Sequence, residues 1–230
     1  MAIHYEAYIK EKSQKKLITI GPDASFYEAR AIIRDRGIRH LPVVDKENRL
    51  LGLITDRDIR KATPSDATTL SIHEIHYLMG KLKASGFMTP KEKLITIAGD
   101  TMIERAVELM HDHKIGCLPV VEGGKLIGII TGTDVLELFV DLFGLKRVGT
   151  RLTVALEDKP GQLHDILEVI KNLNVNIITV ATPTFKVEGR RIVTIRVDAE
   201  DCEGIVKELE EAGHEILSVD KHTGGSSHGS

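Results

Sequence analysis

The chain repeats itself. "LITIGPDASFYEARAIIRDRGIRHLPVV", from Leu17 to Val44, lies over "LITIAGDTMIERAVELMHDHKIGCLPVV", from Leu94 to Val121, without a gap. "LPVVDKENRLLGLITDRD", Leu41 to Asp58, then returns as "LPVVEGGKLIGIITGTD", Leu118 to Asp134, one residue shorter in its turn. A duplication of this extent restricts the architecture more than any single motif, because whatever one copy folds into the other must fold into as well. Each copy opens with a short β-rich run and continues with apolar residues at helical spacing: Phe26, Ala29, Ile32 and Ile33 in the first, Ile103, Ala106, Val107 and Met110 in the second. Ser25-x-x-Glu28 and Thr101-x-x-Glu104 both have capping-box form, and Gly37 suits the left-handed residue that closes the first helix. The hydrophobic run then switches to "HLPVV", a polar turn and "LLGLIT", the pattern of two neighbouring buried strands. Each copy is predicted to be β-α-β-β followed by a helix.

Between the copies, "ATPSDATTL" is a polar loop leading into Ser71-x-x-Glu74 and an amphipathic helix with Ile72, Ile75, Leu78, Met79 and Leu82 on one side. That helix is expected to pack across the two copies. "DVLELFVDLFG" is apolar on too many faces for a lone surface helix, which predicts a cover from a neighbouring module or a second chain, and "LKRVGT" after it reads as a hinge. The remaining C-terminal region is not a third copy. "RLTVALED", "VNIITVAT", "RRIVTIRVD" and "HEILSV" read as strands, while "KPGQLHDILEVIKNLN", starting near Pro160, and "DCEGIVKELEEAG", ending at Gly213, read as helices. The order βαββαβ predicts a ferredoxin-like unit, and the fold class as a whole is α/β (α+β). The expected divisions are residues 1–70, 71–144 with the preceding linker helix, 145–222, and a Gly/Ser-rich tail at 223–230 that reads as disordered.

Composition narrows the functions. A formal charge of -3 over 230 residues removes the electrostatic case for wholesale binding to nucleic acid or an anionic membrane. No apolar run approaches the roughly 20 residues of a membrane span. "MAIHYEAYIKEKSQKK" has no apolar stretch of the roughly 7 to 15 residues of a secretion signal, so the expected location is cytoplasmic. Cys117 and Cys202 are too few for a disulfide framework, and Cys117, in an apolar strand, is expected to be a reduced buried thiol.

The recurring Gly-x-x-Thr-x-x-Asp element admits two readings. Thr55 and Thr131 sit where a strand hands over to a helix, so their hydroxyls can cap backbone N–H groups while Asp58 and Asp134 return the bond. Alternatively, a helix N-terminus offers N–H donors to a phosphate and a carboxylate accepts both hydroxyls of a ribose diol, with Gly52 and Gly128 allowing a ligand close to the strand.

With "TI", "LPVV" and the Gly-x-x-Thr-x-x-Asp end kept twice in the same order from about Leu17 to Phe143, the two copies resemble a tandem pair of CBS domains, also called a Bateman module. In such families the Asp binds ribose and the Thr binds ribose or phosphate. The resemblance therefore implies an adenine nucleotide (AMP, ADP or ATP) or a related adenosyl compound, S-adenosylmethionine and NADH included. It places ribose and phosphate contacts on Thr55, Arg57 and Asp58 and on Thr131, Thr133 and Asp134. Residues just before Leu-Pro reach phosphates in these families, which adds Arg39 and His40, while Gly116, Cys117 and Gly132 are expected in the second copy at the places of Arg39, His40 and Arg57. The second copy also opens with "FMTP", common in CBS domains, where the first has "IKEKS".

The third module, through "LEDKPGQL", resembles an ACT domain, a regulatory unit that binds amino acids at a dimer interface. That implies a ligand held at Asp158 and Gly161, although Pro at a helix start and a Gly turn are also ordinary helix chemistry. Two CBS domains followed by ACT are similar to the acetoin utilisation protein family. The resemblance implies a non-enzymatic regulator with no required cofactor. Its expected partners are the adenosyl ligand, an amino acid, a second copy of the chain and an unidentified regulated protein. The other class is a structural dimerisation scaffold with no nucleotide. "HEIH", His73 to His76, and "HDH", His111 to His113, lack the spacing of a metal motif, and no Walker loop, Gly-x-Ser-x-Gly or Cys-x-x-Cys occurs.

Overall fold

In the computed structural model, which describes residues 17–63 and 71–222, the repeat is realised hydrogen bond by hydrogen bond. In the first copy Ile20 makes a parallel bridge to Val43, with Ile20 N donating to Pro42 O at 3.0 Å and Val44 N to Ile20 O at 2.9 Å. Helix α1 (Phe26–Asp35) comes next, then the antiparallel strands β1 (His40–Val44) and β2 (Leu50–Thr55) and helix α2 (Asp56–Ala62). Helix α3 (Ile72–Lys81), the short helix α4 (Ala84–Phe87) and the two-residue strand β3 (Thr89–Pro90) lead to the second copy. There Ile97 bridges Val120 in parallel, and α5 (Ile103–His113), β4 (Cys117–Glu122), β5 (Lys125–Thr131) and α6 (Gly132–Leu142) take the same order. Registers coincide too: His40 faces Thr55 and Val43 faces Gly52, as Cys117 faces Thr131 and Val120 faces Gly128, with an irregularity after Val43 and after Val120.

The caps explain where the helices start. Ser25 Oγ accepts from Glu28 N, and Ser71 and Glu74 form a reciprocal box. Gly37 takes the left-handed turn, φ 61°, that ends α1. Thr101 does not cap α5. Met102 holds that position without a side-chain bond, and it is the residue that lies opposite Ser25 in the gapless alignment. The phase of α5 is set by burial of Ile103, Ala106 and Met110, which outweighs a cap of about 1 kcal/mol. Met79 of α3 joins the first copy's core, with Phe26, Ala29, Leu41, Ile54 and Ala84, so this linker helix packs on α1. The copies meet through their turns: Asn48 Nδ2 donates to Leu126 O at 2.7 Å, Leu126 N to Asn48 O at 2.9 Å, and Val44, Leu50 and Leu126 share a small core.

The chain divides into two units, Met1–Val135 and Leu136–Ser230. In the second, β6 (Gly149–Leu156), α7 (Gln162–Asn172), β7 (Ile177–Ala181), β8 (Lys186–Val187), β9 (Arg190–Val197), α8 (Glu203–Glu211) and β10 (Glu215–His222) succeed one another. The sheet runs β10-β6-β9-β7, all antiparallel, with β8 paired to β9. That is the ferredoxin-like arrangement. Leu152, Val154, Val193, Ile195 and Val197 turn one face of the sheet to Ile166 and Ile170 of α7 and Ile205 and Leu209 of α8. No residue of α6 is fully buried, and Leu136, Phe139 and Leu142 stay exposed. "IKEKS", the "ATPSDATTL" loop beyond Thr63 and the tail from residue 223 lie outside the described residues.

Candidate functional site

Both Thr-x-x-Asp elements close as capping boxes. Thr55 Oγ1 accepts from Asp58 N at 3.3 Å, while Asp58 Oδ2 accepts from Thr55 N at 2.9 Å and from Thr55 Oγ1 at 2.6 Å. Between Thr131 and Asp134 the corresponding distances are 3.4, 2.7 and 2.6 Å. Each carboxylate is thereby fixed in one orientation at a half-buried position. At Asp58 both bonds fall on Oδ2, which puts Oδ1 outside the box.

Backbone bonds attach the start of each hairpin to its box. Asp56 N donates to Arg39 O at 3.2 Å, and Gly132 N donates to Gly116 O at 2.9 Å. Arg39, His40, Thr55 and Asp58 thus form one cluster, and Gly116, Cys117, Thr131 and Asp134 a second. The clusters touch. His40 Nε2 lies 3.4 Å from where a Cβ on Gly116 would stand, so the first copy's imidazole leans over the second copy's bare glycine. Residue periodicity does not reveal this contact; its one signal in the sequence is the small residue at 116 opposite the large one at 39. Burial pushes the His40 pKa below the ordinary imidazole value, opposed by the charge of Asp56 and aided by that of Arg39. In the second copy burial pushes the Cys117 thiol up to about 12, so it stays a neutral thiol. Arg39, Arg57 and Thr133 are exposed. Counting from the aligned Thr55 and Thr131, Thr133 stands opposite Arg57 and Gly132 opposite Asp56, which corrects the expectation that Gly132 matches Arg57.

Gly52 has a structural duty. A Cβ there would stand 2.5 Å from Met88 Sδ and 2.7 Å from Thr89 O, because β3 pairs with β2 through Gly52↔Pro90 and Leu53↔Thr89. The close approach read from this glycine is therefore made by the "FMTP" segment, which extends the first copy's sheet.

In the second unit, Asp158 is engaged by Lys186 at 2.8 Å and Arg191 at 3.4 Å, and the bonded Lys186 ammonium holds its carboxyl below the usual range. Gly161 is the N-cap of α7 with φ 94°, a conformation that favours glycine whatever binds nearby. The helix starts at Gln162, two residues after Pro160. His73 and His76 lie exposed on α3, His76 edge-on to Tyr27 with ring centroids 6.2 Å apart, and His111 bonds Asp112 at 3.1 Å. Among the described residues no helix is long and apolar enough to cross a membrane.

Comparison with known proteins matches this geometry to families. The CBS domain model matches residues 9–65 and 84–141, and the TTHA0829-like ACT domain model matches residues 148–220. The chain is 34% identical over 133 residues to the CBS domain-containing protein DDB_G0289609 of Dictyostelium discoideum, covering 57% of this chain and 90% of that protein. It is 37% identical over 151 residues to inosine-5'-monophosphate dehydrogenase of Staphylococcus haemolyticus, covering 63% of this chain but only 28% of the dehydrogenase. A solved protein of Vibrio cholerae assigned to acetoin utilization (AcuB) is similar with a TM-score of 0.50 and 26% identity, covering 60% of this chain and 93% of that one. The two repeats fall inside the two CBS matches and the βαββαβ unit that follows them in sequence coincides with the ACT match: the chain belongs to the CBS-domain family, with two CBS domains followed by an ACT domain.

Proposed function

We propose that the chain is a regulatory ligand sensor whose CBS pair takes an adenine nucleotide or a related adenosyl compound. The observation that carries this reading is the meeting of the two clusters, where His40 of the first copy stands beside Gly116, itself bonded to the Thr131–Asp134 turn. A ribose diol on Asp134 would then have His40 and its neighbour Arg39 for the phosphates, and charge-assisted bonds of that kind are the strong ones. Asp58 offers a second carboxylate of the same form, and Arg57, Thr55 and Thr133 complete the polar set.

The role is binding rather than catalysis: the match to the dehydrogenase covers only 28% of that enzyme's length. The ACT domain senses an amino acid at the Asp158–Gly161 turn or builds a homodimer, and the exposed Leu136, Phe139 and Leu142 of α6 support the dimer. The regulated partner is a further protein. One observation favours the scaffold reading instead, namely that both boxes are complete as helix caps. A thermal-shift panel of AMP, ADP, ATP, S-adenosylmethionine, NADH and the twenty amino acids separates the two. A ligand at 100 times its Kd adds about 2.7 kcal/mol to the folded state. If no adenosyl compound raises Tm, the CBS pair is a scaffold.

A further inference from the structure

The ACT sheet has two faces, and only one is occupied by α7 and α8. On the opposite face, strand alternation places Arg151 and Thr153 of β6 with Thr194 and Arg196 of β9. Register then lines up one row across the sheet: Asp220 opposite Arg151, Arg151 opposite Arg196, and Arg196 opposite Thr179. Two arginines directly opposite each other on neighbouring strands destabilise a sheet unless something offsets the charge. Asp220 does so for Arg151, through an ion pair of 2.8 Å. The row has one carboxylate for two guanidinium groups, so Arg196 is the uncompensated one.

Arg196 is also the buried one, with 6% of its surface exposed. Its Nη1 donates to Gly144 O and Arg147 O, both at 3.3 Å, and among the described residues no carboxylate pairs with it. Those carbonyls lie just past the C-terminus of α6, whose dipole offsets part of a positive charge. They engage one nitrogen, and the guanidinium carries five N–H donors in a fork suited to a carboxylate. Desolvation and the neighbouring Arg151 charge both push the Arg196 pKa down, which describes a cation lacking a counterion. Gly144 makes the arrangement possible: a Cβ there would stand 2.5 Å from Ile178 Cγ2.

A cavity of ≈ 530 Å³ opens at this row, within the 300–1,000 Å³ range of small-molecule sites. Arg151, Arg196, Thr179 and Thr194 line it, and Phe139 and Phe143, stacked with centroids 4.2 Å apart at the end of α6, form an apolar wall. No residue of the Asp158–Gly161 turn lines it, so the site is separate from the one placed at that turn.

We propose that this cavity binds a small organic carboxylate with an apolar or aromatic body, its carboxylate on Arg196 and the Thr194 and Thr179 hydroxyls and its body against Phe139 and Phe143. The two interactions call for an amphipathic anion: inorganic phosphate would leave the phenyl wall unused, and a neutral apolar molecule would leave Arg196 without a partner. An amino-acid ammonium is not required, since the row is already positive.

Calorimetric titration of the full chain with 3-phenylpropanoate and 4-methylpentanoate, alongside their carboxamides, tests the proposal on the unmodified protein. The carboxylates are expected to bind at least tenfold more tightly than the carboxamides, and more weakly as salt rises. Thr194→Val and Arg196→Lys should each weaken the carboxylate, with Arg196→Lys losing the larger factor, while Asp158→Asn leaves it unchanged. Absence of binding at millimolar concentration, equal affinity for acid and amide, or loss in Asp158→Asn would each overturn it. None of these outcomes depends on whether the CBS pair takes a nucleotide.

Discussion

At the Thr55–Asp58 box the three hydrogen bonds measure 2.9, 2.6 and 3.3 Å; at Thr131–Asp134 they measure 2.7, 2.6 and 3.4 Å. At the start of the adjoining strand the two copies part company, with Arg39 and His40 in the first and Gly116 and Cys117 in the second. Backbone geometry has been kept across the duplication because each copy must start a helix at the end of a buried strand. The side chains that could meet a ligand carry no such requirement, and they have diverged. Recurrence of the motif is therefore evidence about folding, and evidence about ligand binding has to come from the asymmetry. His40 illustrates this, since it lies over Gly116, within contact distance of where that residue's Cβ would stand, and has no counterpart imidazole in the second copy.

The largest expected effect lies where the first copy's sheet borrows a strand from the segment that opens the second. Gly52→Ala drives a methyl group onto the Thr89 carbonyl, a backbone atom, and onto Met88, and should cost about 3 kcal/mol in urea unfolding. Gly99→Ala is the control. Its nearest neighbours are the carboxylate end of Glu122 and a methyl of Ile127, which can swing away, so a loss below about 1 kcal/mol is expected. Similar losses at the two sites would mean that β3 is not held against β2. Next in size is ligand binding. Arg39→Ala should weaken ATP by about tenfold to a hundredfold, the value of a charge-assisted bond, and Asp134→Ala should weaken it more than Asp58→Ala. Equal small changes in all three variants would return the motif to a pure cap.

Much of this was legible in the sequence because periodicity reports burial, and burial decides the elements. The 3.6-residue spacing of Phe26, Ala29 and Ile33, the strand reading of "RRIVTIRVD" and Gly37 at a left-handed turn all carried over. Local capping was less dependable: Thr101-x-x-Glu104 has box form, yet burying Ile103, Ala106 and Met110 starts the helix one residue later. Lys114, φ 53°, takes the left-handed position that Gly37 holds in the first copy, which no glycine rule would find. Register is what a sequence withholds. Arg-x-Thr in β6 and Thr-x-Arg in β9 are visible as patterns, but that Arg151 faces Arg196 is settled only by how the strands pair. The duty of Gly52 was hidden for the same reason, as β3 comes from residues far along the chain.

If the boxes are equal as folding devices, removing them should cost the same. Thr55→Ala and Thr131→Ala are each expected to lose about 1 kcal/mol in chemical unfolding. A loss confined to one would show that the copies also differ in the backbone.

The smallest effect is the most specific to the asymmetry, because only the first copy carries a group at this position that titrates near neutral pH. Burial depresses the His40 pKa, so between the folded value and the ordinary imidazole value of about 6.5 the unfolded chain holds a proton that the folded chain does not. Its contribution to stability is complete above about pH 6.5 and is lost as pH falls through that window. Cys117, pushed up to about 12, contributes no slope there. Urea unfolding at pH 7.5 and 5.5 should therefore show a larger drop for the unmodified protein than for His40→Gln, with the titrating carboxylates common to both proteins. A bound phosphate reverses the sign at His40, since an adjacent anion favours the imidazolium. ATP binding at pH 6.5 should take up protons, seen in calorimetry as a heat that scales with the ionisation enthalpy of the buffer, and His40→Gln should abolish the uptake. An uptake that survives the substitution would place the titrating group elsewhere and remove His40 from the phosphate site.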